Sequence, residues 1–251
     1  RYMNSFLRYP RLPEGSVSLV LISGEYPWLK DALKRQEIQS ITTSADCRLP
    51  EPVRFHPDLQ VCPFPFEQMF VLKENNLADS LTALGFHVTQ TIAQPTPRYP
   101  GDVLCGGFLW GKHFVGNPKG IDKAIQEAAH DIGLKPLWVR QGYGACSTVL
   151  VNERSAITAD QGMARGLMDN GFEVMVIRPG HIQLPGYDTG FLGGCCGKLA
   201  PNELAFTGEL SSHPDGERIK AFLEKRGVKA IELIKGPLVD VGGILPLLEK
   251  H

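Results

Sequence analysis

The sequence predicts an α/β protein: a closed ring of five ββαβ units. Three observations carry this. Strand-sized apolar runs alternate with amphipathic helices throughout the chain. A polar residue opens each cycle just before its first strand, at Asp58, Asp102, Cys146, Asp188 and Asp240, at intervals of 44, 44, 42 and 52 residues. Such self-similarity is the signature of a repeat architecture. Finally, the last cycle holds only a first strand, while the N-terminus supplies a strand, a helix and a strand with no first strand. Pairing residues 237–247 with residues 16–43 completes a fifth unit and leaves no open sheet edge. Residues 1–251 then form one domain, with 1–15 an irregular lead-in. The competing reading is an ordinary α/β sheet whose regular loops mimic a repeat.

The elements follow in order. Ser16 to Ser23 (SVSLVLIS) reads as a buried strand, and Pro27 precedes a short helix, Trp28 to Arg35, where its missing N–H costs nothing. Ile38 to Thr43 is the next strand. After an extended loop at 50–57 come a first strand at about Asp58 to Cys62, a strand at Gln68 to Leu72, a helix at Leu77 to Leu84 and a strand at His87 to Ile92. The following cycle has strands near 103–109 and 113–116, a helix at Ile121 to Ile132 stopped by Gly133, and a strand at Leu137 to Arg140. The stretch Gln141-Gly142-Tyr143-Gly144-Ala145-Cys146-Ser147-Thr148-Val149-Leu150-Val151 opens the next cycle. Its second strand covers 156–159, its helix 161–170 and its last strand 173–177. Strand 204–207, helix 215–226 and strand 229–234 complete the fourth cycle, and Leu238 to Leu245 starts the last.

Composition excludes several classes. The chain is 43% apolar and 21% charged with formal net charge -1, so its overall charge balance favours neither nucleic acid nor an anionic membrane surface. No apolar run approaches the roughly 20 residues a membrane helix needs. The six cysteines include no C-x-x-C pair, and their number in 251 residues does not suggest a disulfide scaffold. They read as reduced thiols of a cytoplasmic protein; the chain opens without Met, so targeting stays open.

The unit openings carry the candidate chemistry. In a closed ring they project toward one axis, gathering one thiol, Cys146, and four carboxylates, with His56 two residues before Asp58. Asp is disfavoured in strands, so its recurrence points to a site. Clustered carboxylates suit a small cation, and a guanidinium takes a carboxylate bidentately. The alternative for any single Asp is that it satisfies backbone N–H groups in its own turn. Gly193-Gly194-Cys195-Cys196-Gly197 offers Cys195 as an alternative nucleophile, whereas Cys62 and Cys105 sit in apolar runs as small hydrophobes. His87, His113, His130, His181 and His213 show no ligand spacing. A metal on the Asp ring with His56 is a third option, disfavoured by the thiol among hard oxygen donors.

Five ββαβ units in a pseudo-fivefold ring resemble the pentein, or α/β-propeller, fold. Its enzymes modify guanidines: arginine and agmatine deiminases, dimethylarginine dimethylaminohydrolases and amidinotransferases. His56-Pro57-Asp58 resembles their H-x-D motif, whose His is the general acid/base and whose Asp holds substrate. Cys146 lies 90 residues on, two units later, which is the family's separation between His and nucleophilic Cys. Leu238-Val239-Asp240-Val241-Gly242-Gly243 is similar to the family's acidic residue beside a Gly pair. The resemblance implies catalytic Cys146, His56 and Asp240 in circularly shifted order, with Asp58 binding substrate and no cofactor; the clustered unit openings add Asp102 and Asp188 as substrate-binding candidates. It implies a cysteine-dependent hydrolase or amidinotransferase acting on a small guanidino or amidine cation. The chain departs from the pattern at its C-terminal end, which reads GGILPLLE where those enzymes carry a G-G-x-x-H-C-type segment. The second expectation is therefore a non-catalytic pentein that binds a protein or RNA–protein partner, as a ribosome anti-association factor of this fold does. QGYGACS and LVDVGG also resemble an uncharacterised pentein-like family, which implies no function.

Overall fold

Turn residues cut the apolar runs into short strands, and the computed structural model, which describes residues 3–251, arranges them as five small sheets. In chain order the first group is β1 (Asn4–Phe6), β2 (Val17–Ile22), α1 (Pro27–Arg35) and β3 (Gln39–Thr42). The second is a single helical turn, α2 (Pro57–Gln60), then β4 (Val61–Pro63), β5 (Gln68–Val71), α3 (Leu77–Ala83) and β6 (His87–Gln90). Next come β7 (Phe108–Trp110), β8 (His113–Gly116), α4 (Lys123–Asp131) and β9 (Lys135–Trp138). The turn α5 (Gly144–Ser147) opens β10 (Thr148–Leu150), β11 (Ser155–Thr158), α6 (Gln161–Asp169) and β12 (Glu173–Val176). The last groups are β13 (Cys196–Ala200), β14 (Glu203–Phe206), α7 (Gly216–Lys225) and β15 (Lys229–Glu232), then β16 (Leu245–Lys250).

Every unit has the same pairing. Its first strand runs antiparallel to the second, through a hairpin in all but the ring-closing unit, and the second runs parallel to the third through the helix. A parallel pair needs such a crossover. The sequence marks these helices: Asp160 accepts from Met163 N at 2.6 Å as an N-cap, and Gly133 and Gly171, both at positive φ, follow the C-termini of α4 and α6.

The ring closes as expected, in the sheet β1-β16-β2-β3, where Leu245 pairs with Leu21. The closing strand nevertheless runs over 245–250 rather than 237–247. Gly242 and Gly243, at φ +81° and +87°, make 240–244 a turn rather than extended strand. Residues 1–15 are also not irregular throughout, since β1 extends the closing sheet by pairing with β16. Its continuation is tied down by the buried Glu249 carboxylate, which accepts from Glu14 N at 2.6 Å and Gly15 N at 2.8 Å. Val20, Leu21 and Ile22 are fully buried, each contributing about 1.5–3 kcal/mol of transfer free energy.

The unit openings differ from the expected first-strand starts. Asp58 and Cys146 lie in the one-turn helices α2 and α5, ahead of their strands. Pro57, with its fixed φ, starts the first turn, and the Gly-rich run 142–144 permits the second.

Candidate active site at the ring axis

Two seams bring the candidate residues together. In the first, Asp58 N donates to Gly242 O at 3.1 Å, locking α2 onto the loop that bears Asp240. Gly242 has to be glycine: a Cβ there would lie 2.5 Å from His56 Cβ, at a φ of +81°. In the second, Ala145 N donates to Gly106 O at 2.8 Å, and Thr158 Oγ1 donates to Ser147 O at 2.8 Å, so α5 is held on both sides of Cys146. Gly193 then packs against the Cys146 carbonyl, where a Cβ would come within 2.3 Å of the oxygen.

The result is one buried cluster. His56, Asp58, Cys146 and Asp240 are 2%, 1%, 4% and 2% exposed. His56 Nδ1 stands 3.8 Å from Asp240 Oδ1 and 4.0 Å from Asp58 Oδ1, both beyond hydrogen-bond length. The Cys146 thiol lies beside the Asp58 carboxyl group. Asp240 is held by two backbone donors, Phe191 N at 2.9 Å and Gly242 N at 3.0 Å. Gly190 and Gly194 let the chain approach this carboxylate, since a Cβ on Gly194 would fall 1.8 Å from its Oδ1.

Burial sets the protonation states. Desolvation pushes Asp58 up to about 8, and the Asp240 charge adds to this. Cys146 is pushed well above an ordinary thiol, first by burial and then by Asp58 and Asp240. Burial lowers His56 in spite of Asp240. Near neutral pH the unliganded site thus holds a thiol and a neutral imidazole rather than an ion pair. Neither Asp58 oxygen has a hydrogen-bond partner, and His56 Nε2 is buried without one. Such orphans are uncommon in a folded interior and carry a free-energy cost.

The remaining sequence candidates are placed differently. Asp102 is buried one layer away and accepts from the Tyr143 hydroxyl, with its Oδ1 unpartnered. It reaches the cluster through Tyr143, whose ring packs 5.9 Å from Phe191 and 5.7 Å from Tyr99. Asp188 is exposed on the 186–189 turn, and the structure does not bring it into the cluster. The physical reason is register: Asp188 precedes β13 by eight residues, and the whole turn preceding Leu192 intervenes. Cys195 is buried and donates to Phe191 O at 3.4 Å. Cys62 and Cys105 belong to an apolar core cluster, while Cys47 is exposed. Among the described residues no three His, Cys, Asp or Glu side chains are grouped to hold a metal ion. No helix among them is long and apolar enough to cross a membrane.

Sequence reasoning passed over Arg11, Tyr143 and Lys198. Tyr143 stands within the stretch that opens the Cys146 unit, three residues before the thiol, which was a usable signal. Nothing local marks Arg11, whose place in the interior depends on the lead-in folding back.

Five ββαβ units around a buried axial cluster make this a protein of pentein fold. Inosamine-phosphate amidinotransferase from Streptomyces griseus superposes with a TM-score of 0.58 at 11% identity, over 98% of this chain and 97% of that one. Dimethylarginine dimethylaminohydrolase from Pseudomonas aeruginosa, complexed with citrulline, gives 0.56 at 10% identity over 94% and 100%. Agmatine deiminase from C. jejuni gives 0.52 at 10% over 92% and 90%. No curated protein matches the sequence. The chain itself belongs to a family of unknown function, DUF6873, whose profile matches residues 21–245.

Proposed function

We propose that the protein is a cysteine-dependent enzyme cleaving a C–N bond of a small guanidino or amidine cation, with Cys146, His56 and Asp240 catalytic and Asp58 binding the cation. The observation that carries this is the pairing of a buried thiol with carboxylate oxygens that lack donors. A guanidinium supplies planar N–H donors for the Asp58 oxygens, which have none, and a positive charge beside Asp240. The similarity to guanidine-modifying enzymes supports the same reading at the level of fold.

Both reactive groups start neutral, so the substrate cation itself promotes ionisation of the thiol. As it binds, the Cys146 proton passes to His56, giving thiolate and imidazolium. The thiolate attacks the central carbon, forming a C–S bond and a tetrahedral adduct. His56 returns its proton to the leaving amine, the C–N bond breaks, and a thiouronium remains on Cys146. A water, or an acceptor amine in a transferase, gives a proton to His56 as it attacks that carbon. Collapse expels the sulfur, which takes the proton back.

Chloroacetamidine, a cation, and neutral chloroacetamide test this as a matched pair of alkylating probes. Cys146 is expected to react at least about tenfold faster with the cation, because its field favours the thiolate. Release of ammonia or amine from a panel of guanidines should vanish in Cys146→Ala and persist in Cys195→Ala. Equal labelling by both probes, or none at Cys146, overturns the enzymatic reading. A binding module is the second reading, favoured by the near-complete burial of all four residues.

A further inference from the structure

The floor of the axial site holds a cation that none of the chemistry above uses. The lead-in makes a tight turn, with Leu12 N donating to Tyr9 O at 3.1 Å, and Arg11 at its bend has φ +68°. A left-handed conformation costs a side-chain-bearing residue about 1 kcal/mol and favours Gly or Asn. Arg is a costly choice there unless its side chain is needed. On either side the segment is pinned, by Phe66 N donating to Leu7 O at 2.7 Å and by Glu249 on Glu14 N and Gly15 N.

From that bend the half-buried Arg11 side chain turns inward far enough to bury its Nη2. It borders a cavity of about 30 Å³ lined by Thr148, Gly193, Cys196 and Gly243, with residues of β10, β13 and β16 around it. Arg11 Nη2 and Thr148 Oγ1 are both buried there without partners. The wall between this cavity and the site is glycine. A Cβ on Gly243 would touch Gly193 O at 3.6 Å and Asp58 Oδ2 at 3.9 Å, and Gly193 backs onto the Cys146 carbonyl. A larger residue in either place would thicken the wall and move the cation away.

We infer that Arg11 is an electrostatic positioning residue: a built-in counter-cation, placed behind a glycine wall, that keeps Asp58 and Cys146 ionisable in a buried acidic site. It touches no substrate. The groups around Asp58 and Cys146 are His56, Asp240, each other, Cys195, Tyr143 and Arg11, with Lys198 also lining the small cavity. Among the charges acting on the two, Arg11 alone is a cation, and it opposes the upward push of burial on both. A guanidinium suits this role because it stays charged at any pH the fold survives.

The inference rests on the proposed chemistry for its purpose but is tested apart from it. The carboxyl of Asp58 is followed by ¹³C NMR titration, assigned by its loss in Asp58→Asn, in wild type, Arg11→Gln, Arg11→Met and Arg11→Lys. The neutral variants should raise the Asp58 midpoint by about one pH unit and slow Cys146 alkylation at pH 8 about tenfold, whereas Lys should keep both near wild type. An unchanged Asp58 midpoint in either folded neutral variant overturns the inference. So does a Lys variant that behaves like Gln, since a merely structural role would not follow charge. If wild-type Cys146 proves unreactive, the enzymatic reading falls while the Asp58 midpoint still decides the role of Arg11.

Discussion

The two ends of the ring axis bury charge in opposite ways. At the hairpin end Lys198, itself 4% exposed, donates 2.6 Å hydrogen bonds to Val151 O and Pro201 O, and it borders a groove of about 720 Å³ beneath the lead-in. At the other end Asp58 is as deeply buried, yet its oxygens have no hydrogen-bond partner. A buried ionisable group that is satisfied by backbone is part of the framework. One left without donors marks a place where another molecule is to supply them. The contrast arises from topology: strand ends turning through hairpins leave carbonyls for a cation, whereas the Gly-rich turns at the opposite end crowd side-chain carboxylates together.

Mutations at the two ends put this contrast at risk. The largest effect belongs to Gly194→Ala, whose Cβ would collide with Asp240 Oδ1 at 1.8 Å, in a carboxylate pinned by Phe191 N and Gly242 N. A loss of about 4 kcal/mol or more in denaturant unfolding is expected; a stable, wild-type-like variant would show that the site is looser than the packing implies. Next comes Lys198→Met, which strips the donor from two buried carbonyls and should cost about 2–4 kcal/mol in the same measurement. A neutral outcome there would erase the distinction between the ends.

The pH dependence should separate them by sign. Asp58, pushed up to about 8 in the fold, keeps a proton that the unfolded chain releases near its ordinary value of about 4. Its contribution is fully present below about pH 4 and is lost as pH rises through about 8, by at most about 1.4 kcal/mol per pH unit. Lys198, lowered by burial to about 8, gives up a proton that the unfolded chain holds until about 10.4. Between those values stability therefore rises with pH. Thermal melts across pH should show the falling limb vanish in Asp58→Asn and the rising limb vanish in Lys198→Met. Exchanging the two assignments would contradict the burial argument. The smallest effect is that of Asp58→Asn itself at pH 6, where the wild-type carboxyl is already neutral. A change within about 1 kcal/mol in urea unfolding is expected, against the larger loss at the equally buried Lys198.

What the sequence determined by itself was periodic and local. Helices α4 and α6 were legible because apolar spacing, an acidic cap and a terminal glycine act within a few residues of one another. The repeat of unit openings and the incomplete units at the two ends were enough to foresee a closed ring, and His56, Asp58, Cys146 and Asp240 were visible as its polar interruptions. Tertiary structure decided which interruptions meet. Asp188 fits the interval but stands eight residues ahead of its strand and turns to solvent, while Asp102 stops one layer short behind Tyr143. It also decided the part played by Arg11, which no local pattern marks, because only the folded lead-in carries that side chain behind the glycine wall. Spacing along the chain records how often a turn recurs; register within the turn, and packing across the ring, decide where its side chain points.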